Sequence, residues 1–187
     1  MKKLLNKYVE KINFKRAFIV TVFFLIMLYL IDYSVIGVAE LSRITDGGDI
    51  LDMEHGYSVE KAYDTFDYLG EDGRDFYLKK IIPLDFFFPI AFMMFNLSWM
   101  SMLLKRTTKQ GSAVRLLTLL PFVDMLLDWS ENVGFAIMLG NYPEQLETVC
   151  RVNSVITHCK LTSVMLIIIV DIVLVGVAVY KKIQKKQ

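Results

Sequence analysis

The stretch Pro121-Phe122-Val123-Asp124-Met125-Leu126-Leu127-Asp128-Trp129-Ser130-Glu131-Asn132 determines how the rest of this chain is interpreted. It lies inside a hydrophobic run, residues 116–139, that is long enough to cross a bilayer as a helix. At about 100° per residue, Asp124, Asp128 and Glu131 share one stripe of that helix. A carboxylate at the bilayer centre costs about 2.5–3.5 kcal/mol on insertion scales, so three of them require a protein interior, a wet cavity or a bound cation.

The composition of the whole chain agrees with this interpretation. The 187 residues are 55% hydrophobic, and three further long apolar runs are present. This is too apolar for a soluble domain, and the length suits one compact helical bundle. We therefore predict an all-α polytopic membrane protein, a single four-helix transmembrane bundle. Its spans are expected at about 17–38, 81–104, 116–139 and 161–180.

The charge distribution predicts the orientation of these spans. Two thirds of the Lys and Arg residues lie in the segment up to Arg16, in 105–115 and after Tyr180, with Glu10 as the only acid there. The positive-inside rule places these segments and both termini in the cytoplasm, and the acid-rich loops 39–80 and 140–160 outside. Asp32 interrupts the first run, which favours a retained span over a cleaved signal peptide. The basic clusters are short and flank the spans, so nucleic acid is not an expected partner.

A short amphipathic helix is predicted in the first outer loop. Ser58 is a typical N-cap and Gly70 a typical helix end, and a second helix start follows at 72–74. Apolar residues recur between the two ends at helical spacing: Val59, Ala62, Tyr63, Phe66 and Leu69. We expect this helix to lie across the outer mouth of the bundle.

Two other groups of loop residues carry weaker signals. Four acids crowd before the amphipathic helix, but the spacing of an EF-hand is absent: Asp46, Asp49, Asp52 and Glu54. Cys150 and Cys159 share the second outer loop, where a disulfide is chemically permitted. If one helix ran through both, they would lie about 13 Å apart, beyond bridging distance. The sequence leaves the disulfide open.

The predicted spans contain acids but no Lys, Arg or His. The acids are Asp32, Asp85, Asp124, Asp128, Glu131 and Asp171. We favour a site that binds or moves a cation, a proton or a small polar solute, because clustered carboxylates without basic partners attract cations. Transport through four helices would require a homo-oligomer. If a metal is bound, its ligands are Asp124, Asp128 and Glu131.

Two alternatives stay open. The first is a membrane-embedded enzyme acting on an outer-leaflet lipid headgroup, in which Arg74 holds the anionic group and Lys160 lies level with Glu131. The second is a structural or assembly subunit, whose protonated acids hydrogen-bond between helices. The lipid bilayer is a partner under every hypothesis, and no residue pattern identifies a cofactor.

Several short motifs also occur in a fixed order from Gly56 onward. They are Gly56-Tyr57-Ser58, Gly73-Arg74-x-x-Tyr77, Asp85-x-x-Phe88-Pro89, Asp128-x-x-Glu131-Asn132 and Thr157-x-x-Lys160. The ordered set resembles a group of small uncharacterised four-span integral membrane proteins. The resemblance implies the four-span fold and a site shared by the polar motif residues, but it implies no activity.

Together these observations predict an outward-facing binding pocket. Asp128 and Glu131 are expected at its centre, with Asn132 fixing them by hydrogen bonds. The second and third spans would form the core of the pocket, and the first outer loop its lid. The predicted pocket residues are Asp128, Glu131, Asn132, Asp124, Asp85 and Arg74 at the entrance, Tyr77, and Lys160 on the far wall.

Overall fold

The computed structural model describes residues 2–184, with side chains except those of Lys2 and Leu4. This part of the chain is helical and contains no strand. Its helices are α1 (Lys2–Lys11), α2 (Phe14–Tyr33), α3 (Val38–Ile44), α4 (Val59–Phe76), α5 (Ile82–Asp85), α6 (Phe88–Thr107), α7 (Leu120–Gly140) and α8 (Glu147–Gln184). The all-α prediction is confirmed, and Lys185 and Lys186 of the predicted basic tail lie outside the described residues.

Three helical segments are long and apolar enough to cross a membrane. They are Phe14–Ile44, Val59–Thr107 and Glu147–Gln184. Much of the apolar surface of α8 is exposed, with Ile172 66% accessible, as expected for a face that contacts lipid. Helix α7 has 21 residues, which is long enough to span, but it carries three carboxylates within three turns.

The second long segment is continuous but bent. Helix α4 begins after Ser58, whose hydroxyl accepts the backbone N–H of Lys61 at 3.0 Å. At Gly70 the backbone leaves the helical region with φ of 64°, a conformation that glycine adopts without a steric penalty. A π-helical turn at Tyr77–Ile81 then joins α4 to α5, and Pro89 lies in the first turn of α6.

The third predicted span begins with a different type of helix. Ala113–Leu119 forms a 3₁₀-helix, and the α-helix starts only at Leu120. Pro121 explains this boundary, because proline lacks a backbone N–H and is favoured in the first turn of an α-helix. The predicted span start at residue 116 thus falls within the 3₁₀-helix, four residues before the α-helix begins.

The predicted outer loop 140–160 is mostly helical. Helix α8 begins at Glu147 and continues for 38 residues, about 57 Å, through the whole predicted fourth span. Cys150 is buried on this helix, Cys159 is exposed, and both are free. The disulfide that the sequence left open is not formed, because one helix holds the two residues about 13 Å apart along its axis.

Helices α7 and α8 approach each other closely beside Gly134. A Cβ atom at this position would collide with the side chain of Asn153 on α8. Gly134 is also one helical turn from Glu131. The missing side chain therefore lets α8 lie close enough to α7 for polar groups on the two helices to meet.

Candidate functional site

Lys160 is the centre of a buried group of charged side chains between α7, α8 and the segment before α4. Its Nζ lies 2.5 Å from Oε2 of Glu131, 3.8 Å from Oδ2 of Asp52 and 4.0 Å from Oδ2 of Asp128. The Glu131 side chain is completely buried, and that of Lys160 is 6% exposed. The expectation of carboxylates without a basic partner is therefore wrong, because the chain supplies its own cation.

Asn132 connects this group to the second long helical segment. Its amide nitrogen donates to Oδ1 of Asp128 at 3.1 Å and to the backbone carbonyl of Asp85 at 3.3 Å. The side chain of Asp85 is also buried, beside Asn132. We call Lys160, Asp52, Asp85, Asp128 and Glu131 the ionic cluster.

Asp52 is the member that sequence reasoning missed. The sequence placed it among four loop acids as a weak calcium signal, but its carboxylate turns inward to Lys160, whereas Glu54 pairs with Lys61 at 3.2 Å. Burial raises the pKa of Asp52, and the neighbouring Lys160 ammonium opposes this rise. Two sequence signals were available: Lys160 borders an apolar helix and needs a counter-ion, and Leu51 beside Asp52 is an apolar anchor that the structure buries.

Aromatic and amide side chains line the same region. Tyr77 is buried, and its ring centroid lies 5.8 Å from that of Phe135. Tyr57 stacks on the same phenylalanine at 6.1 Å and accepts a hydrogen bond from Asn153 at 3.1 Å. Burial raises the pKa of Tyr57 to about 12, so its phenol stays neutral at physiological pH. Tyr77, a predicted pocket residue, is therefore part of the packing around the ionic cluster.

Asp124 is buried but is not an ion-pair partner of Lys160. The hydroxyl of Ser163 on α8 donates a hydrogen bond to the Asp124 carboxylate. Within residues 2–184, no group of three or more His, Cys, Asp or Glu side chains is arranged to hold a metal ion. The predicted metal set of Asp124, Asp128 and Glu131 is accordingly not assembled, since Ser163 and Lys160 are the partners of these carboxylates.

Arg74 does not join the ionic cluster. Its Nη1 donates to the carbonyl of Phe66 at 2.8 Å, and its guanidinium lies 3.8 Å from the centroid of the Tyr142 ring. The Tyr142 phenol hydrogen-bonds in turn to Asp67. Arg74 and Asp85 were expected to share an entrance, but their offset of eleven residues corresponds to about 16 Å along an α-helix.

The two remaining acids of the predicted spans are not ion-pair partners of Lys160. Asp32 and Asp171 are half-buried, and neither forms an ion pair within the described part of the chain. Oδ1 of Asp171 is buried without a hydrogen-bond partner. The six acids of the predicted spans are therefore not all assembled around Lys160.

The cluster is closed and holds more carboxylates than cations. Three of its four acids lie within 4.0 Å of the Lys160 ammonium group, and the most exposed side chain of these ion pairs, that of Asp52, is 18% accessible. Oδ1 of Asp52 and Oε1 of Glu131 are buried without hydrogen-bond partners in the described structure. Carboxylates in this situation can accept protons, hold water or bind a small cation.

Comparison with known protein families, with curated proteins and with solved structures finds no match to this chain. The chemistry of the site is therefore inferred from its geometry alone.

Proposed function

We propose that this protein is a four-span integral membrane protein whose ionic cluster binds protons, or a small cation in their place, from the outer side of the membrane. The observation that carries the proposal is the excess of four carboxylates, three of them buried, over one ammonium group. If the bound proton or cation exchanges with both sides of the membrane, the protein is a transporter. Exchange with one side alone would make it a sensor of external pH or cation concentration.

The proposed fourth span is α7. It has the length of a membrane helix and packs against α6 and α8, which belong to two of the apolar segments. Its three carboxylates are buried in the bundle: Asp124, Asp128 and Glu131. These carboxylates face protein and not lipid. The free-energy cost of placing a carboxylate in the bilayer therefore does not prevent α7 from crossing it.

The charge imbalance supports the proposal that the ionic cluster holds protons or a small cation. In a low-dielectric site, neighbouring carboxylates that are all ionised repel one another, and removing each from water costs several kcal/mol. Lys160 neutralises one of the four negative charges. Protons or a small cation are the simplest way to neutralise the others, and the unpartnered oxygens of Asp52 and Glu131 are available to hold them.

The segment that carries Asp52 supports access from outside. Asp52 lies between α3 and α4, in a connection that the charge distribution places outside the membrane. This connection is attached to α8 through the backbone N–H of Tyr57, which donates to Oγ of Ser154 at 2.7 Å. A small displacement of the connection would open the ionic cluster to solvent without separating α7 from α8.

The proposal can be tested by the thermal stability of the purified protein in lipid nanodiscs. Raising the pH ionises more carboxylates, so we expect the melting temperature to fall as the pH rises, and to fall less in Asp128→Asn. Asp75→Asn, which changes an exposed acid paired with Lys79, is the matched control. At high pH, a rise in melting temperature with sodium but not with a large organic cation would identify a small cation.

A melting temperature that depends equally on pH in wild type and Asp128→Asn, and on no cation, would contradict the proposal. Transport is tested separately in liposomes that contain a trapped pH-sensitive dye. An imposed pH gradient should collapse faster with the wild-type protein than with Asp128→Asn if protons cross the bundle. Unchanged leakage would restrict the ionic cluster to sensing from one side.

A further inference from the structure

A second cavity lies at the opposite end of the bundle, where α1 meets α2 and α6. Its volume is about 640 Å³, within the range of small-molecule sites. Lys7, Lys11 and Arg16 line it on the polar side, and Ile12, Ile19 and Val20 on the apolar side. We call this cavity the basic groove.

One wall of the basic groove is α1, which is fixed to the bundle. Val9 is completely buried and Ile12 nearly so. Glu10 forms an ion pair of 2.8 Å with the buried guanidinium of Arg115, and the Glu10 carbonyl accepts a hydrogen bond of 2.6 Å from Lys105. The N-terminal segment is therefore a docked part of the fold, and the groove that it forms is a built cavity.

The cations of the groove have no acidic partner among residues 2–184. Lys7 and Lys11 lie one turn apart on α1, and Arg16 follows in the first turn of α2. None of the three forms an ion pair with any side chain that the structure describes. The Arg16 guanidinium is held at the groove by a 3.1 Å hydrogen bond to the carbonyl of Lys11. Together they present three positive charges to one small volume.

The apolar wall continues into a membrane helix. Ile19 and Val20 belong to Phe14–Ile44, a segment apolar enough to cross a membrane, and Ile19 is 57% exposed. At the floor of the groove, the hydroxyls of Tyr8 and Ser98 lie 3.4 Å apart. The groove thus combines the three kinds of group that would contact a phospholipid: cations for its phosphate, hydroxyls for its glycerol and an apolar track for an acyl chain.

We propose that the basic groove binds one anionic phospholipid of the adjacent leaflet. Its phosphate would lie among Lys7, Lys11 and Arg16, and an acyl chain along Ile19 and Val20. Charge-assisted contacts favour phosphate at such a site, and basic pockets between membrane helices are typical of specific headgroup binding. Orientation in the membrane accounts for basic residues near the end of a span. It does not account for cations that share a cavity with an apolar track.

The test uses the full-length protein, delipidated in detergent and mixed with phosphatidylglycerol, phosphatidylcholine or inorganic phosphate. Native mass spectrometry counts the retained lipid, and a melting curve measures its stabilising effect. We expect wild type to retain phosphatidylglycerol. The triple variant Lys7→Gln/Lys11→Gln/Arg16→Gln should bind it at least about tenfold more weakly. The matched control Lys3→Gln/Lys15→Gln/Lys109→Gln removes three exposed charges outside the groove and should bind like wild type.

Equal loss of binding in both triple variants would overturn the proposal in favour of general charge attraction. Retention of phosphatidylcholine equal to that of phosphatidylglycerol would overturn the selectivity for an anionic headgroup. Stabilisation by inorganic phosphate equal to that by phosphatidylglycerol would overturn the role of the acyl chain. If the groove variant does not fold, Ile19→Trp keeps all three charges and fills the apolar track. This variant should also lose phosphatidylglycerol, and unchanged retention would contradict the assigned track.

Discussion

The ammonium group of Lys160 and the carboxylate of Glu131 lie 2.5 Å apart across the interface of α8 and α7, and both side chains are buried. Removing one partner of a buried ion pair leaves the other charge without its counter-ion in a low-dielectric environment. We therefore predict that Lys160→Met lowers the free energy of unfolding by about 3–5 kcal/mol at neutral pH, measured by reversible unfolding in detergent micelles.

Two companion variants make this prediction specific. Glu131→Gln added to Lys160→Met should restore part of the lost stability, because it removes one of the uncompensated charges. Lys79→Met removes an exposed lysine that pairs with Asp75, and it should change the stability by less than about 1 kcal/mol. A Lys160→Met protein as stable as wild type would show that the ion pair does not hold α7 and α8 together.

Asp52 should make the stability depend on pH. Burial raises its pKa above the ordinary value of 3.8, and Lys160 opposes the rise. Because the folded-state pKa is the higher one, the contribution of Asp52 is fully present below pH 3.8 and is lost as the pH rises through the folded-state pKa. Asp52→Asn should therefore flatten the fall of melting temperature with pH, whereas the exposed neighbour Asp49→Asn should not. Parallel curves for wild type and Asp52→Asn would contradict the inward position of Asp52.

A side chain at Gly134 should lower the stability of the protein. A Cβ atom there would collide with Asn153, so we expect Gly134→Ala to destabilise the protein by about 1–3 kcal/mol through separation of α7 from α8. Gly140 lies on the same helix, and a Cβ atom there would meet no neighbour within 4 Å. Gly140→Ala is thus the matched control, and chemical denaturation in detergent measures both. Equal stability of the two variants would refute the close helix contact.

Asp171 should be dispensable for stability. Its buried Oδ1 lacks a hydrogen-bond partner in the described structure, and an unpaired carboxylate in an apolar environment is costly. We predict that Asp171→Leu raises the free energy of unfolding by about 1 kcal/mol or more. The same measurement on Asp85→Leu should give a loss, because Asp85 belongs to the ionic cluster. A destabilised Asp171→Leu protein would indicate a partner for this carboxylate that the isolated chain lacks.

The native cysteines test the proposed orientation. Cys159 is exposed on α8 close to Lys160, whereas Cys150 is buried. A membrane-impermeant maleimide added to intact cells should label Cys159 if this end of the bundle faces outward, and Cys159→Ser should abolish the label. Labelling that appears only after the cells are permeabilised would place the ionic cluster on the cytoplasmic side.

The local features of this fold are readable from sequence because each depends on residues close together in the chain. The stripe of Asp124, Asp128 and Glu131 follows from helical spacing alone, and all three side chains are buried. Ser58 and Gly70 mark a helix start and a helix break through their own backbone chemistry. Lys160 was placed level with Glu131, and the structure brings their charged groups into contact.

The features that sequence reasoning missed depend on distant contacts. Asp52 resembles its exposed neighbours in the loop, and only the position of α8 shows that it turns toward Lys160. The continuity of α8 through residues 147–160 could only be left open, because Asn153 and Thr157 are polar although the structure buries both. The surroundings of Arg74 were not predictable from its own segment. Its contact is with Tyr142, which lies in a connection much later in the chain.

The most direct test of the proton-binding proposal is the infrared spectrum of the protein in lipid as the pH is changed. The C=O stretch of a protonated carboxylic acid is resolved from that of a carboxylate, so it reports whether buried acids carry protons. We predict a protonated band at neutral pH that disappears as the pH is raised and that is weakened by both Asp128→Asn and Glu131→Gln. A spectrum without such a band, or with a band that neither variant alters, would contradict the proposal that the ionic cluster holds protons.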